Sequence, residues 1–277
     1  MEKLILVDGH NMLFRLFFGM QRSIRHEDGR DVKCAVGFAS SLKKLVDEFD
    51  ANKLLVLFDS VTSTASRIEA FPDYKQNRID YSQVEPEDNP FTQLPDVYKT
   101  LDFLDIGYLE ADGFEADDYI ASICKTYQEN YEIIIVSTDS DFNQLINERV
   151  SVYKPRGKHS MMLTPVVVAE KFAVKPDQII EYKSLIGDTA DNIPGIKGIG
   201  PKRAAEILSY GTIDEIISGS TEIPEKYLIK IKEHEDILNR NKALIQMIMD
   251  VPFELNDECV AIGFDSFFKP MSIIKEL

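Results

Sequence analysis

The sequence has few cysteines. Cys34, Cys124 and Cys259 are its three thiols, none in a C-x-x-C spacing, and Cys34 and Cys124 fall within helical apolar patterns, so buried free thiols are expected rather than metal or redox centres. Long apolar runs are also missing. No stretch approaches the roughly 18 apolar residues needed to cross a bilayer, which excludes a helical membrane protein. The opening MEKLILVDGH has a short apolar run broken by Asp8, with no basic leader region and no small-residue cleavage site, so a cytoplasmic protein is expected. Basic charge is in short supply: 31 Lys and Arg against 47 Asp and Glu give a net charge of −16, which argues against a protein that coats polyanions. That sum does not exclude phosphate binding, which needs only a local positive strip or a site where bound cations cancel carboxylates. Solenoid repeats and low-complexity tracts are absent. What remains, 44% hydrophobic and 28% charged over 277 residues, suits one large α/β domain or two smaller ones.

Three short runs, Lys3–Val7 (KLILV), Lys53–Phe58 (KLLVLF) and Ile133–Ser137 (IIIVS), are continuously apolar and β-branched, the pattern of parallel strands buried on both faces. Ile106–Leu109 reads as a shorter strand. Between them, Asp31–Phe49, Phe91–Leu104 and Glu115–Tyr127 repeat apolar residues near every 3.6 positions, giving a βαβ rhythm. The expected fold is α/β, a mostly parallel central sheet with helices on both faces, over residues 1–163. From 62 to 95 the rhythm stops in a polar stretch too long for an ordinary loop. After Thr164 the pattern turns helical, with Pro165, Pro176, Pro201, Ile213, Pro224 and about Glu233 as helix starts, so residues 164–277 are expected to form a helical subdomain. The tail after Asp250 carries no readable pattern.

Carboxylates fall at the strand ends. Asp8 follows the first strand, Asp59 the second, and Asp139 and Asp141 the IIIVS strand, all at the sheet edge where open α/β folds bind ligands. Glu115, Asp117 and Asp118 open a helix that reaches the same edge. Each alone reads as a cap or turn former. Together, with Asp188 and Asp191 nearby, they would repel one another unless hard cations lay between them. Oxygen donors without His or Cys select Mg²⁺ or Mn²⁺, and so many carboxylates suggest two ions, the arrangement that cuts phosphodiesters.

Residues 195–203 read as a glycine hairpin between two helices. Gly198 and Gly200 allow close backbone approach, while Lys197, Lys202 and Arg203 and the amides of the new helix present donors to a phosphate. A second basic cluster, Lys154, Arg156, Lys158 and His159, reads either as a duplex contact or as a solvated turn.

The segments VDGHNMLFR, LFDS, YKQNR, GFEADD, STDSDFNQL and GDTADNIPGIKGIGPKRAAEIL, in this order and spacing, closely resemble the bacterial 5′-3′ exonuclease and flap endonuclease family, which includes the amino-terminal nuclease domain of DNA polymerase I. The resemblance runs from Lys3 to Phe253. It implies a PIN-like nuclease core, a helical arch over 62–95 and a helix-hairpin-helix. It assigns Asp8, Asp59, Glu115 and Asp117 to a first metal site, Asp8 through waters, and Asp118, Asp139, Asp141, Asp188 and Asp191 to a second.

By the same resemblance Lys75 and Arg78 reach the cleaved phosphate, Tyr74 stacks near the unpaired end, Arg67 is a further basic arch position, and Arg15 joins the hairpin residues as a DNA contact. A potassium ion at the hairpin is also implied. Two positions depart from the pattern: Ser140 stands where a lysine is common and Ser66 where a phenylalanine is frequent. The expected function is Mg²⁺-dependent hydrolysis of DNA and RNA primers at 5′ flaps, nicks and ends in replication and repair, by a monomer, with a DNA polymerase as partner. The chain resembles either a stand-alone member or an amino-terminal piece. The competing reading is a non-catalytic protein of the same fold that binds DNA structures, against which the complete carboxylate set speaks.

Overall fold

The computed structural model describes residues 1–60, 62–265 and 267–277, and the side chain of Ser66 also lies outside what it describes. The apolar runs pair as the sequence requires. Six strands, β1 (Glu2–Asp8), β2 (Lys53–Asp59), β3 (Tyr108–Ala111), β4 (Tyr131–Val136), β5 (Val150–Lys154) and β6 (Met161–Leu163), form one sheet in the order β3-β2-β1-β4-β5-β6. All neighbouring pairs are parallel except β5–β6. Strand order reverses at β1, with β2 on one side and β4 on the other, and the crevice beyond those strand ends is where such sheets bind ligands.

The continuous hydrophobicity of β1 follows from burial on both faces, because successive side chains point opposite ways. Ile5 and Val7 pack toward α1 (Gly9–Gly19), α2 (Lys33–Phe49) and α4 (Leu94–Phe103), while Leu4 and Leu6 pack toward α5 (Ala116–Tyr127). Helix α1 was not anticipated as an element. It starts directly at the strand end, with the Asp8 carboxylate accepting the Asn11 amide at 3.0 Å as its cap. The polar stretch holds one short helix, α3 (Ala65–Ala70), followed by turns and single 3₁₀ turns.

The carboxyl-terminal half is helical: α6 (Pro165–Phe172), α7 (Ile179–Ile186), α8 (Pro201–Leu208), α9 (Ile213–Ser218), α10 (Glu225–Glu233) and α11 (Glu235–Ile245). A small antiparallel pair, β7 (Gly187–Asp188) with β8 (Ile193–Pro194), joins α7 to the glycine hairpin. Gly195 must lack a side chain, since a Cβ there would lie 2.2 Å from the Ile186 carbonyl carbon. These helices share the hydrophobic core of the α5 face, which runs unbroken from Leu4 through Tyr182 and Leu185 to Ile207 and Ile231. The tail, unreadable in sequence, returns to the sheet: the Leu54 amide donates to the Val260 carbonyl at 3.0 Å, Ile106 bridges to Ile262, and Ile273 is fully buried in the α2 face.

Candidate metal centre and nucleic-acid interface

The switch-point crevice gathers carboxylates from separate elements. Asp8 ends β1 and Asp59 ends β2, Glu115 and Asp117 stand at the start of α5, and Asp139 lies just past β4. The Asp8 carboxylate accepts the Ser137 hydroxyl at 2.8 Å as well as the Asn11 amide. Burial pushes its pKa up to about 6 against those hydrogen bonds, and the negative charges of Asp59 and Asp139 add to the rise. Asp117 is raised well above the ordinary carboxylate range, first by burial and then by Asp8, Asp139 and Asp59. Burial also works against ionised Asp59, yet His10, the Ala116 amide at 2.8 Å and nearby Lys75 leave it below its usual value.

Two lysines are interleaved with these groups. The Lys75 ammonium contacts Glu115 Oε2, and the Lys183 ammonium lies between Asp141 and Asp188. Both lysines are largely buried. Partial burial works against ionised Asp188, yet Lys183 and the Ala190 and Asp191 amides hold it below its ordinary pKa. Asp191 accepts Arg78 Nη2 at 2.8 Å and the Tyr74 hydroxyl at 3.3 Å. Among the described residues no group of three or more His, Cys, Asp or Glu side chains is drawn together closely enough to hold an ion. The donor set still fits a hard cation: every candidate ligand is an oxygen, and Asp8, Asp59, Asp117 and Asp139 feel one another's charge, although Glu115 is already met by Lys75 at Oε2 and by Arg67 at 3.3 Å from Oε1.

Three sequence expectations need correction. Asp118, grouped with the second metal site, points away from the crevice into a saturated network. Its carboxylate accepts both Arg67 guanidinium nitrogens at 2.6 and 2.8 Å, the Glu115 amide at 3.2 Å and the Ile248 amide at 2.9 Å, leaving no lone pair for a metal. Arg67, expected to face DNA, is the buried partner of that carboxylate, only 9% exposed. Tyr74, expected to stack on an unpaired end, is 3% exposed and packs with Ile193, Leu244 and Ile245. In all three, local sequence shows charge or aromaticity but not the direction of the side chain.

The hairpin matches its expected shape. Gly198 is left-handed (φ +85°), Gly200 precedes α8, and Pro201 is its first residue. Lys197, Lys202 and Arg203 are exposed beside it. Arg203 donates to the Gly198 carbonyl, and the Lys230 ammonium from α10 lies 3.1 Å from where a Gly198 Cβ would stand. Lys230 adds a cation that sequence reasoning missed.

Arg15, with a buried Nε lacking a partner, lines a cleft of about 460 Å³ with Arg156 and Thr138, next to the Asp139 loop. The rest of the YKPRGKH cluster divides. Lys154 is buried and donates to the Thr138 carbonyl at 3.1 Å, whereas Arg156 and Lys158 are exposed on a turn. Ser140 precedes a 3₁₀ turn that carries Asp141. Lys183, His10 and Ser137 escaped notice because each is an unremarkable residue until the fold sets it beside a carboxylate.

A mostly parallel sheet with carboxylates at its switch point, joined to helices that present a glycine hairpin, defines an α/β domain with an acidic crevice and an appended helical unit. The 5′-3′ exonuclease N-terminal resolvase-like domain matches residues 3–173 and the 5′-3′ exonuclease C-terminal SAM fold matches residues 174–264, so the chain belongs to the 5′-3′ exonuclease family.

It is 32% identical to DNA polymerase I of Bacillus caldotenax over 100% of this chain and 31% of that protein. It is 34% identical to the thermostable DNA polymerase I of Thermus aquaticus over 92% of this chain and 29% of that protein. The chain thus spans about a third of the length of these polymerases. Among solved structures, the T5 5′-exonuclease with bound zinc ions superposes with a TM-score of 0.75 at 28% identity, covering 89% of this chain and 90% of that one. A pseudo-enzyme-product complex of the phage T5 flap endonuclease with DNA and metal ions gives 0.74 at 28% identity, covering 88% and 89%. No helix among the described residues is long and apolar enough to cross a membrane.

Proposed function

We propose that the chain hydrolyses phosphodiesters at 5′ ends, nicks and flaps of DNA, and in RNA primers, with two divalent ions, Mg²⁺ or Mn²⁺, in its crevice. The observation that carries this reading is the placement of Asp8, Asp59, Asp117 and Asp139, from separate elements, at one sheet edge beside Glu115 and the Lys75 ammonium that contacts it. Oxygen-only donors fit these ions. Asp8, Asp59, Glu115 and Asp117 would hold one ion, and Asp139, Asp141, Asp188 and Asp191 the other. When bound, the ions supply the positive charge that an in-line displacement at a phosphate requires.

The chain's own residues prepare for that displacement. Lys75 balances Glu115, and Lys183 balances Asp141 and Asp188; these carboxylates would be shared with any ions bound there. Lys75 and Arg78 then meet the phosphate at the cut and stabilise its developing charge. Lys197, Lys202, Arg203 and the α8 amides hold the duplex backbone beside the hairpin, where a potassium ion can sit, and Arg15 and Arg156 flank the strand leading to the crevice. The arch, residues 62–95, orders around a free 5′ end. The protein works as a monomer in replication and repair beside a DNA polymerase. The test is cleavage of labelled blunt, nicked and 5′-flapped duplexes with millimolar Mg²⁺ or with chelator. Metal-dependent cutting at the flap base is expected, and binding without cutting in either condition would overturn the enzymatic reading.

A further inference from the structure

Lys75 and Asn192 are two left-handed residues facing each other across a seam, with φ of +55° and +58°. Asparagine adopts that conformation readily, whereas a lysine does so uncommonly. Here the bonding across the seam is reciprocal. The Lys75 amide donates to the Asp191 carbonyl at 3.1 Å, and the Asn192 side-chain amide donates back to the Asp73 carbonyl at 2.8 Å. One step outward, Asn77 Nδ2 donates to the Thr189 carbonyl at 2.7 Å. These bonds tie the base of the arch to the turn that carries Asp188 and Asp191, eight residues or fewer from the glycine hairpin. Asn192 and Asn77 are exposed, touch no carboxylate and have no part in holding ions. A left-handed backbone alone would be met by glycine, so the asparagine amide at 192 adds a donor that glycine lacks.

We propose that Asn192 is a positioning residue for Lys75. Its bond to Asp73, paired with the Lys75–Asp191 backbone bond, fixes the arch base to the 188–192 turn, so that the Lys75 ammonium is aimed into the crevice in register with a duplex held at the hairpin. The proposal rests on the nuclease reading of Lys75 given above, and names what orients that side chain.

Asn192→Gly permits the left-handed backbone and removes the side-chain amide that donates to Asp73. In the ion-free protein, amide exchange at Lys75 is expected to quicken by roughly tenfold, since its own bond then lacks its partner. With Mg²⁺ and a 5′-flap substrate, the single-turnover rate is expected to fall roughly tenfold while the substrate Kd stays within about twofold. In a Lys75→Ala background, Asn192→Gly should remove nothing further. Unchanged Lys75 exchange, an unchanged rate, or the same loss with and without Lys75 would each overturn the proposal. A Lys75→Ala protein that cuts at the wild-type rate would instead overturn the reading of Lys75, and any positioning role with it. Should Asn192→Gly fail to fold, Asn77→Ala removes the outer bond and faces the same three readouts, with a smaller loss expected and additivity again decisive.

Discussion

Arg67 and Asp118 meet through a two-pronged pair, Nη1 to Oδ2 at 2.8 Å and Nη2 to Oδ1 at 2.6 Å, sealed from solvent between the arch base and α5. Removing one side of such a pair strands a charge inside the protein. Arg67→Ala is therefore expected to lower unfolding free energy by about 3–5 kcal/mol in urea titration at pH 7. A loss no larger than the roughly 1 kcal/mol of an exposed pair would show that the two groups are reached by water.

Asp117 is held in the crevice against both burial and its neighbours' charge. Asp117→Asn should raise the thermal stability of the chelator-treated protein, by on the order of 1 kcal/mol, while abolishing cleavage. Millimolar Mg²⁺ should raise the wild-type Tm and leave the variant's nearly still. An equal Mg²⁺ shift in both would remove Asp117 from the ligand set.

Lys154 carries a pH dependence of definite sign. Burial pushes its pKa down to about 8, with Asp139 opposing the shift, so folding disfavours the charged form. Below pH 8 the group is charged in both states and the penalty is full. As pH rises through 8 toward 10.5, the folded lysine is already neutral while the unfolded one still binds its proton, and the penalty fades. Lys154→Met should be more stable than wild type at pH 7, and the gain should shrink by pH 10. A gain independent of pH would assign it to packing.

Burial pushes the Cys34 thiol up to about 12 and raises Cys124 further, whereas Cys259 is half-buried at the surface. An aromatic disulfide reagent at pH 8 is expected to titrate Cys259 in the native protein and the other two only in denaturant. Fast labelling of Cys34 would mean that α2 opens readily.

Lys202→Ala at the hairpin should weaken binding to duplexes of any sequence and lower the slope of log Kd against log salt by about one. A sequence-dependent loss would place Lys202 against base edges instead.

Four of the six strands and most of the carboxylates were legible from local pattern, since apolar runs mark β1, β2 and β4 and an aspartate after such a run lies at the strand end, whereas β5 and β6, short and without a continuous apolar run, were not anticipated. Asp8, Asp59 and Asp139 needed no more than that. Asp118 was misread because it sits one residue from Asp117 on a helix, and about 100° of rotation sends adjacent side chains to different surroundings. Lys183 was invisible since its partners, Asp141 and Asp188, lie 42 and 5 residues away in a chain whose folding could not be drawn to that precision. Helix α1 was missed because its apolar face, Met12, Leu13, Leu16 and Phe17, was not read as a helical stripe, although Asp8 alone fits a cap. In the structure Asp8 both caps the helix and faces the crevice.

The returning tail also has a consequence for solubility. β3 is an outer strand, and an outer strand offers unpaired amides and carbonyls on which a second molecule could build. Ile262, bridged to Ile106 just ahead of β3, covers part of that rim. The segment with no pattern of its own thus occupies the rim where β3 begins, one part of one edge on which a second copy could otherwise build.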